Sequence, residues 1–495
     1  MNGIDRRTLL EMLAAGTFLA ATGNGSLNAF GQSAVQSAVE AAPVAGEGGP
    51  IPPMLRTRAS KDISASHLSV GFETLDRKMF DPVRTYAPLA QLGVKWARCQ
   101  TGWARTEQRP GQFDFGWLDE AVDHLLAIGI QPWFNVGYGN PLYAPGADQY
   151  AVGWAPVYSQ AAKDAWARYV DGLAAHFKGR VRHWEIWNEP NGRTFWRSEE
   201  PDAAAYVGLV KMTAPVIREH VPDAVIIGGA FAGVPLEYAE QCLEAGLGDE
   251  VDRISFHPYR ARPEENYASD LRALRGLVHR YKPGIRLWQG EDGAPSTDGS
   301  TGALSKLHWT ETSQAKWLLR RIVTDLGCDL ELTSYFHTVD LQKYNWGSGP
   351  TNGTNSKGLL RGGSYTPKPS YFAYRNLCAL FDSETKTAST LIRFDRGSAD
   401  LEVDALCSAC FARKGRPIYA YWFPADLQKE WLPKIAHITV WSPKELPLDR
   451  PVLVDPASGA ISTPLRATKH GGSLSFAEME IRDYPMLLTD AALVI

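Results

Sequence analysis

The chain has 495 residues, 44% of them hydrophobic, a composition typical of a globular protein that buries a large core. This length exceeds one ordinary domain, so two or three domains are expected. The net charge of −4 and the lack of any basic run argue against a nucleic-acid partner.

The N-terminus has the pattern of an export signal. Arg6 and Arg7 precede Thr8 and a short apolar stretch, a pattern that resembles a twin-arginine signal peptide. We predict a signal over residues 1–31 and a Pro/Gly-rich linker over 32–58, with export to the periplasm or the medium. The apolar stretch is short and interrupted, so no stable membrane insertion is expected.

From about residue 60 to 380, apolar runs alternate with helical patterns. Eight runs have the β-branched and aromatic bias of buried strands: HLSVGF (67–72), VKWARC (94–99), IQPWFN (130–135), RHWEIW (182–187), AVIIGG (224–229), DRISFH (252–257), IRLWQG (285–290) and ELTSYFH (331–337). Amphipathic segments such as 117–129 and 163–177 lie between them. This alternation predicts an α/β fold, a (β/α)8 TIM barrel over residues 59–380. A doubly wound sheet is the competing fold, but no Gly-rich phosphate loop follows the first strand.

Beyond residue 380 the pattern becomes strand, turn, strand, which predicts a C-terminal β-sandwich over residues 381–495. Cys407 and Cys410 have CxxC spacing, but no second pair or nearby His completes a zinc site. We interpret them as ordinary strand residues, with a disulfide as the alternative in an oxidising compartment.

Polar residues cluster at the predicted strand ends, where a barrel of this kind forms its active site. They are Arg98, Asn135, Asn188, Glu189, His257, Tyr259, Glu291 and the stretch 335–337. A carboxylate at the end of a buried strand is costly unless it is paired or functional. Glu189 alone could cap the next helix, but two glutamates at one face of a barrel favour a functional pair. Glu185 shares the strand parity of Glu189, and we interpret it as a buried partner for an interior base.

Trp187-Asn188-Glu189-Pro190, with a second glutamate after the seventh strand, resembles the retaining glycoside hydrolases of clan A. Residues 93–136 resemble them as well, with an arginine on the second strand and then a loop that contains Trp, Glu, Pro-Gly and Phe-Asp-Phe. A barrel with a terminal β-sandwich is most similar to glycoside hydrolase family 39, whose members include β-xylosidases and iduronidases.

The resemblance implies roles for individual residues. Glu189 would be the general acid/base and Glu291 the nucleophile. Asn188 would bind the sugar 2-hydroxyl, Arg98 would lie beneath the nucleophile, and further substrate contacts are expected from His257, Tyr259, Trp103, Asn135 and His337. Many clan members end the eighth strand with a Trp, where this chain has SYFHTVD. Phe336, His337 or Trp346 would take its place.

The expected function is an exported glycosidase that cleaves an oligo- or polysaccharide by double displacement through a covalent glycosyl-enzyme. No metal or organic cofactor is expected, and the partner is a carbohydrate. Two alternatives are a transglycosylase with the same machinery and a non-catalytic carbohydrate-binding protein. Loop aromatics such as Tyr138, Tyr143, Trp154, Trp196 and Trp309 either pack the loops or stack on sugar rings.

Overall fold

A computed structural model of the protein describes residues 53–344, 353–464 and 467–494. The predicted signal, most of the predicted linker and Trp346 lie outside the described residues.

The larger part is a closed barrel of eight parallel strands, as the sequence predicts. The strands are β1 (Leu68–Gly71), β2 (Trp96–Gln100), β3 (Gln131–Val136), β4 (His183–Ile186), β5 (Val225–Ala232), β6 (Arg253–His257), β7 (Arg286–Asp292) and β8 (Leu332–Tyr335). Each strand pairs with its neighbour in sequence, and β8 returns to β1 with Leu68 opposite Thr333. All strand ends that bear the polar residues therefore meet at one mouth of the barrel.

A helix follows each barrel strand. The helices are α1 (Val83–Leu92), α2 (Gly116–Ala127), α3 (Gln160–Phe177), α4 (Ala203–His220), α5 (Leu236–Glu244), α6 (Tyr267–Tyr281), α7 (Glu311–Gly327) and α8 (Pro369–Leu380). The two helices predicted over 117–129 and 163–177 are confirmed as α2 and α3. In the described part of the chain, no helix combines the length and apolar character that crossing a bilayer requires.

The fourth strand ends earlier than its apolar sequence suggests. β4 stops at Ile186, because Trp187 and Glu189 adopt left-handed backbone conformations with φ of 69° and 45°. The backbone N–H of Glu189 then donates to the carbonyl of Ala230, at the end of the neighbouring strand (2.8 Å). Non-glycine residues are strained in this region, and such strain concentrates at functional sites.

The barrel interior is packed in layers. Trp133, Ile227, Trp288 and Leu332 form an apolar layer in the interior. Closer to the strand ends, Glu185 on β4 is fully buried in a polar layer. The apolar layer therefore lies beneath the polar layer and fills the barrel interior.

The C-terminal part is all-β, as predicted, and contains two antiparallel sheets. One has six strands, in the order β9 (Lys386–Thr387), β11 (Cys407–Arg413), β12 (Arg416–Trp422), β18 (Met486–Asp490), β14 (Pro451–Val454) and β15 (Ile461–Ser462); the other has four, in the order β10 (Ile392–Gly397), β13 (Lys434–Trp441), β17 (Ser473–Ile481) and β16 (Ala467–His470). Cys407 and Cys410 are both free thiols on β11. Their spacing of three puts them on opposite faces of the strand, where they cannot form a disulfide with each other.

Side chains of the barrel contact the C-terminal sheets. Arg320 on α7 donates to the carbonyl of Ala425 (2.7 Å), and Trp422 on β12 donates to Glu264 of the barrel (2.6 Å). The last residues of the predicted linker also join these sheets, since Met54 forms a bridge with Ala460. The segment before the barrel is therefore held by the strands that follow it.

Candidate active site

Glu189 and Glu291 face each other at the mouth of the barrel. Glu189 follows β4 and Glu291 lies near the end of β7, and their side chains are 17% and 15% exposed. One oxygen of each carboxyl group and one ring nitrogen of His257 all lie within 4.8 Å of one another. The two carboxyl groups are thus close enough to act on a single bond.

Glu291 is surrounded by groups that favour its charged form. Arg98 Nη1 donates to its Oε2 (2.7 Å), and the Tyr259 hydroxyl donates to its Oε1 (2.8 Å). Burial by itself would raise the pKa of Glu291, but the nearby His257 and Arg98 outweigh it and hold the pKa below its usual value. Glu291 is therefore an ionised carboxylate at neutral pH.

Glu189 has a different environment. Its Oε1 lies 2.9 Å from Nδ1 of His257, which is the last residue of β6. The imidazole is buried, and its Nδ1 also lies 3.9 Å from Glu291 Oε2, so the ring lies beside both carboxyl groups. No arginine contacts Glu189 in the described structure, and this difference from Glu291 separates the chemistry of the two groups.

Arg98 on β2 holds the floor of the site together. Besides Glu291, its guanidinium donates to Glu185 Oε2 (2.5 Å) and to the Asn188 side-chain oxygen (2.8 Å). Burial would lower the pKa of Arg98, but the surrounding carboxylates outweigh it and raise the pKa further. Because the amide oxygen of Asn188 accepts from Arg98, its NH2 group remains available for a ligand.

Asn135, predicted to bind substrate, is fully buried under the site. Its side-chain nitrogen donates to Glu185 Oε2 (2.9 Å) and to the carbonyl of Trp187 (2.6 Å). It therefore supports the backbone before Asn188 and has no surface to offer a sugar. Glu185 accepts from Arg98 and Asn135, as expected for a buried partner of an interior base.

Two other residues predicted to contact substrate are also buried in the structure. Trp103 is 1% exposed, stacks between Tyr143 and Tyr169, and donates its indole N–H to Glu107 (2.6 Å). His337 is fully buried, with Nε2 placed 3.0 Å from the carbonyl of Glu73 and Nδ1 placed 3.2 Å from the carbonyl of Val339. Both side chains therefore form contacts within the protein: Trp103 with neighbouring aromatic rings, and His337 with backbone carbonyls after β1 and β8.

The loop aromatics divide into two groups. Tyr138, Trp196, Trp309 and Phe336 are buried, whereas Tyr143 and Trp154 are partly exposed. Tyr138 stacks on Phe195, and it packs edge-on against Trp187. Most of these rings therefore pack the loops around the mouth.

Sequence reasoning missed two charged residues beside the site. Glu73 follows β1 directly, and its Oε1 accepts from Arg98 (3.2 Å); reading the end of the first strand would have found it. Lys357, in the chain that follows β8, is 1% exposed, and burial lowers its pKa to about 7. Its ammonium donates to the carbonyl of Thr301 (3.3 Å), and no sequence spacing signals this position.

Glu189, His257 and Glu291 together have the donor set of a divalent-cation site. The Arg98 guanidinium is 2.7 Å from Glu291, however, and a cation on that carboxylate would face this positive charge. The site therefore suits a polar organic substrate better than a metal ion.

The fold and the site define the class of the protein: a (β/α)8 barrel with facing glutamates after its fourth strand and on its seventh, as in the clan A enzymes that the sequence resembles. Residues 81–274 match the family described as Glycosyl hydrolases family 39. The resemblance to family 39 is therefore confirmed.

Two relatives are each described as a beta-xylosidase. The protein from Geobacillus stearothermophilus is 29% identical over 195 residues, which are 34% of this chain and 38% of that protein. The protein from Caldicellulosiruptor saccharolyticus is 25% identical over 287 residues, which are 54% of this chain and 56% of that protein. The chain thus matches about half or less of the length of these relatives.

A solved structure of a family 39 glycoside hydrolase from Bacteroides cellulosilyticus WH2 has the same fold. It superposes with a TM-score of 0.62 at 20% identity and covers 86% of this chain and 80% of that chain. The shared architecture therefore extends well beyond the matched barrel segment.

Proposed function

We propose that this protein is a retaining glycoside hydrolase in which Glu291 is the nucleophile and Glu189 the general acid/base. The observation that carries the proposal is the spacing of the two carboxyl groups, since one oxygen of each lies within 4.8 Å of one oxygen of the other. Retaining enzymes hold their carboxyl groups about 5–5.5 Å apart, whereas inverting enzymes need about 6.5–9.5 Å to admit a water molecule.

In the first step, Glu291 attacks the anomeric carbon and Glu189 delivers a proton to the leaving oxygen. Arg98 and Tyr259 keep Glu291 ionised and aimed, so the nucleophile needs no base of its own. The bond to the leaving group breaks as the ester bond to Glu291 forms, and the leaving group departs as an alcohol.

In the second step, Glu189 takes a proton from water, and this water displaces Glu291 from the sugar. His257 holds Glu189 at the same place in both steps (2.9 Å). The amide NH2 of Asn188 is positioned by Arg98 to grip the sugar 2-hydroxyl, a contact that strengthens in the transition state. A pure binding protein gains nothing from this charge arrangement.

The substrate proposed for the first assays is a β-xyloside, because both matched relatives are described as beta-xylosidases. A panel of nitrophenyl glycosides and several polysaccharides would establish the sugar and the mode of cleavage. Product analysis at high acceptor concentration separates hydrolysis from transglycosylation.

Azide rescue tests the roles of the two glutamates. In Glu189→Ala, a dinitrophenyl glycoside still forms the covalent intermediate, because its leaving group needs no proton. Loss of the acid/base typically costs about 10²–10⁴-fold, and azide should restore turnover with retained anomeric configuration. In Glu291→Ala, azide attacks from the vacated side, and the product should have inverted configuration.

The measurement is proton NMR of the anomeric signal of each glycosyl azide. Glu331→Ala, at the opposite end of the barrel, is the matched control and should need no azide. Two azides of the same configuration would refute the assigned roles, and full activity of either active-site variant without azide would remove that glutamate from the mechanism.

We also propose the domain organisation predicted from the sequence, a barrel over 59–380 and a β-sandwich over 381–495. The sandwich is supported by contacts between the two antiparallel sheets. The rings of Phe394 on β10 and Tyr421 on β12 lie 6.3 Å apart, and the Tyr419 hydroxyl of β12 donates to the carbonyl of Trp441 on β13. Export through the twin-arginine route is proposed from Arg6 and Arg7.

A further inference from the structure

Glu73 is a third carboxyl group in contact with the guanidinium that orients the nucleophile. Its Oε1 lies 3.2 Å from Arg98 Nη1, and the same nitrogen lies 2.7 Å from Glu291 Oε2. The side chain of Glu73 is 2% exposed, and the mechanism above gives it no role. Its place directly after β1 sets it under the nucleophile.

The charges around Arg98 do not balance if all of its carboxyl partners are ionised. Arg98 supplies one positive charge, whereas Glu73, Glu185 and Glu291 would supply three negative ones. The titratable groups that face Glu73 come from several elements: Arg98 and Cys99 of β2, Glu291 of β7, and His337 and Tyr344 beyond β8. Burial lowers the pKa of His337 to about 4, so the imidazole adds no positive charge at neutral pH.

The other oxygen of Glu73 lies 3.5 Å from Nε2 of His337, a nitrogen that is closer to the backbone carbonyl of Glu73 (3.0 Å). Among the described residues, no group forms a hydrogen bond with Glu73 Oε2, although this atom is buried. It lies over Gly71, where a Cβ would approach it to 2.4 Å, so the glycine provides the space for the carboxyl group. A charged oxygen buried without a donor is far more costly than a neutral one.

We propose that Glu73 is kept as a neutral carboxylic acid beside Arg98 and is a positioning residue for Glu291, because an uncharged Glu73 leaves the guanidinium directed at the nucleophile. This role rests on the proposed glycosidase function. The pKa of Glu73 agrees with this proposal. Burial raises this pKa, Arg98 opposes the rise and the charge of Glu291 adds to it, and the resulting pKa is about 8. Glu73 is thus neutral at pH 7 and ionises as the pH rises through about 8.

Ionised Glu73 would compete with Glu291 for Arg98 Nη1. We therefore expect kcat/KM to fall above pH 8 in the wild type, even for a dinitrophenyl glycoside whose departure needs no proton from Glu189. Such a limb, caused by one ionisation, approaches about tenfold per pH unit. Because this substrate needs no general acid, the fall in kcat/KM at alkaline pH reports the ionisation of Glu291 and of the groups around it.

The test compares the pH profile of kcat/KM in wild type, Glu73→Gln and Glu73→Ala. Glutamine is neutral at every pH and keeps the contact to Arg98, so Glu73→Gln should remain within about threefold of wild type at pH 6 and lose the alkaline limb. Glu73→Ala removes the side chain that contacts Arg98 and should lower kcat/KM by about tenfold at pH 6. Glu331→Gln, which removes a glutamate paired with Arg253 at the opposite end of the barrel, should keep the wild-type limb.

An infrared pH titration reads the protonation without turnover. The wild type minus Glu73→Gln difference spectrum should contain the carbonyl band of a carboxylic acid at pH 6 and lose it above about pH 8. Absence of that band, an unchanged alkaline limb in Glu73→Gln, or a loss in Glu73→Gln as large as in Glu73→Ala would each overturn the proposal. A wild type that cleaves no glycoside refutes the glycosidase function instead, and the infrared titration still decides whether Glu73 is neutral.

Discussion

Glu189 and Glu291 are the same residue type a few ångströms apart, and their neighbours separate their chemistry. Glu291 lies near His257 and accepts from a guanidinium and a phenol, and these three groups together outweigh the cost of its burial. The side-chain hydrogen bond of Glu189 is to the imidazole of His257. The residue with the strongest cationic support is the one that must carry charge when it attacks.

Tyr259→Phe tests this separation. The lost hydroxyl stabilises the charged form of Glu291, and such a hydrogen bond is worth about 0.5–1.5 kcal/mol. Its removal should raise the pKa of Glu291, so that Glu291 protonates at a higher pH. The acid limb of kcat/KM is expected to move upward by about 0.5–1 pH unit.

The measurement is the pH profile with a dinitrophenyl glycoside. Tyr371→Phe is the matched control, since that hydroxyl donates to the carbonyl of Pro88 in the helical layer. An acid limb that stays in place or moves downward in Tyr259→Phe would contradict the assigned contact.

At the scale of elements, one backbone segment positions the site and one helix joins the barrel to the C-terminal sheets. The left-handed backbone at Trp187 ends β4 early and directs Glu189 across the mouth. Helix α7 has a structural role: its Arg320 donates to both carboxyl oxygens of Glu264 (2.6 and 2.8 Å) and also to the C-terminal part. This helix therefore joins the barrel to the sheets.

Arg320→Met should be strongly destabilising, because it leaves Glu264 buried without its cation. Breaking a buried pair in this way costs about 3–5 kcal/mol in the free energy of unfolding. The double variant Arg320→Met/Glu264→Gln should recover part of this loss, since the amide oxygen still accepts from Trp422. Urea denaturation measures both.

The control is Arg280→Met, which breaks an exposed pair with Glu240 and should cost less than about 1 kcal/mol. Burial raises the pKa of Glu264, but Arg320 outweighs it and lowers the pKa below its usual value. The contribution of the pair is therefore present above the ordinary pKa of a glutamate and is lost as the pH falls through the lowered value. Equal losses in the single and double variants would contradict this account.

At the scale of the whole molecule, the fold has a barrel with its site at one mouth and an all-β part held against its side. The export proposed from Arg6 and Arg7 concerns the chain as a whole and can be tested directly.

Replacing Arg6 and Arg7 with lysine should leave the protein in the cytoplasm. Cell fractionation followed by immunoblotting checks this, with Arg56→Lys and Arg58→Lys as matched changes outside the proposed signal. Normal export of the Arg6/Arg7 variant would refute the twin-arginine proposal.

The sequence by itself determined the eight strands, their order and the two glutamates at their ends. Hydrophobic periodicity is a local property, and the ends of parallel strands meet wherever a barrel closes. The depth of each side chain was decided only by the tertiary structure. Asn135 and His337 read as site residues in sequence but are buried beneath the surface, whereas Glu73 joins the site. The place of Glu73 after β1 can be read from the sequence, but its contacts with Arg98 and with an imidazole 264 positions away form only when β1 closes against β2 and β8.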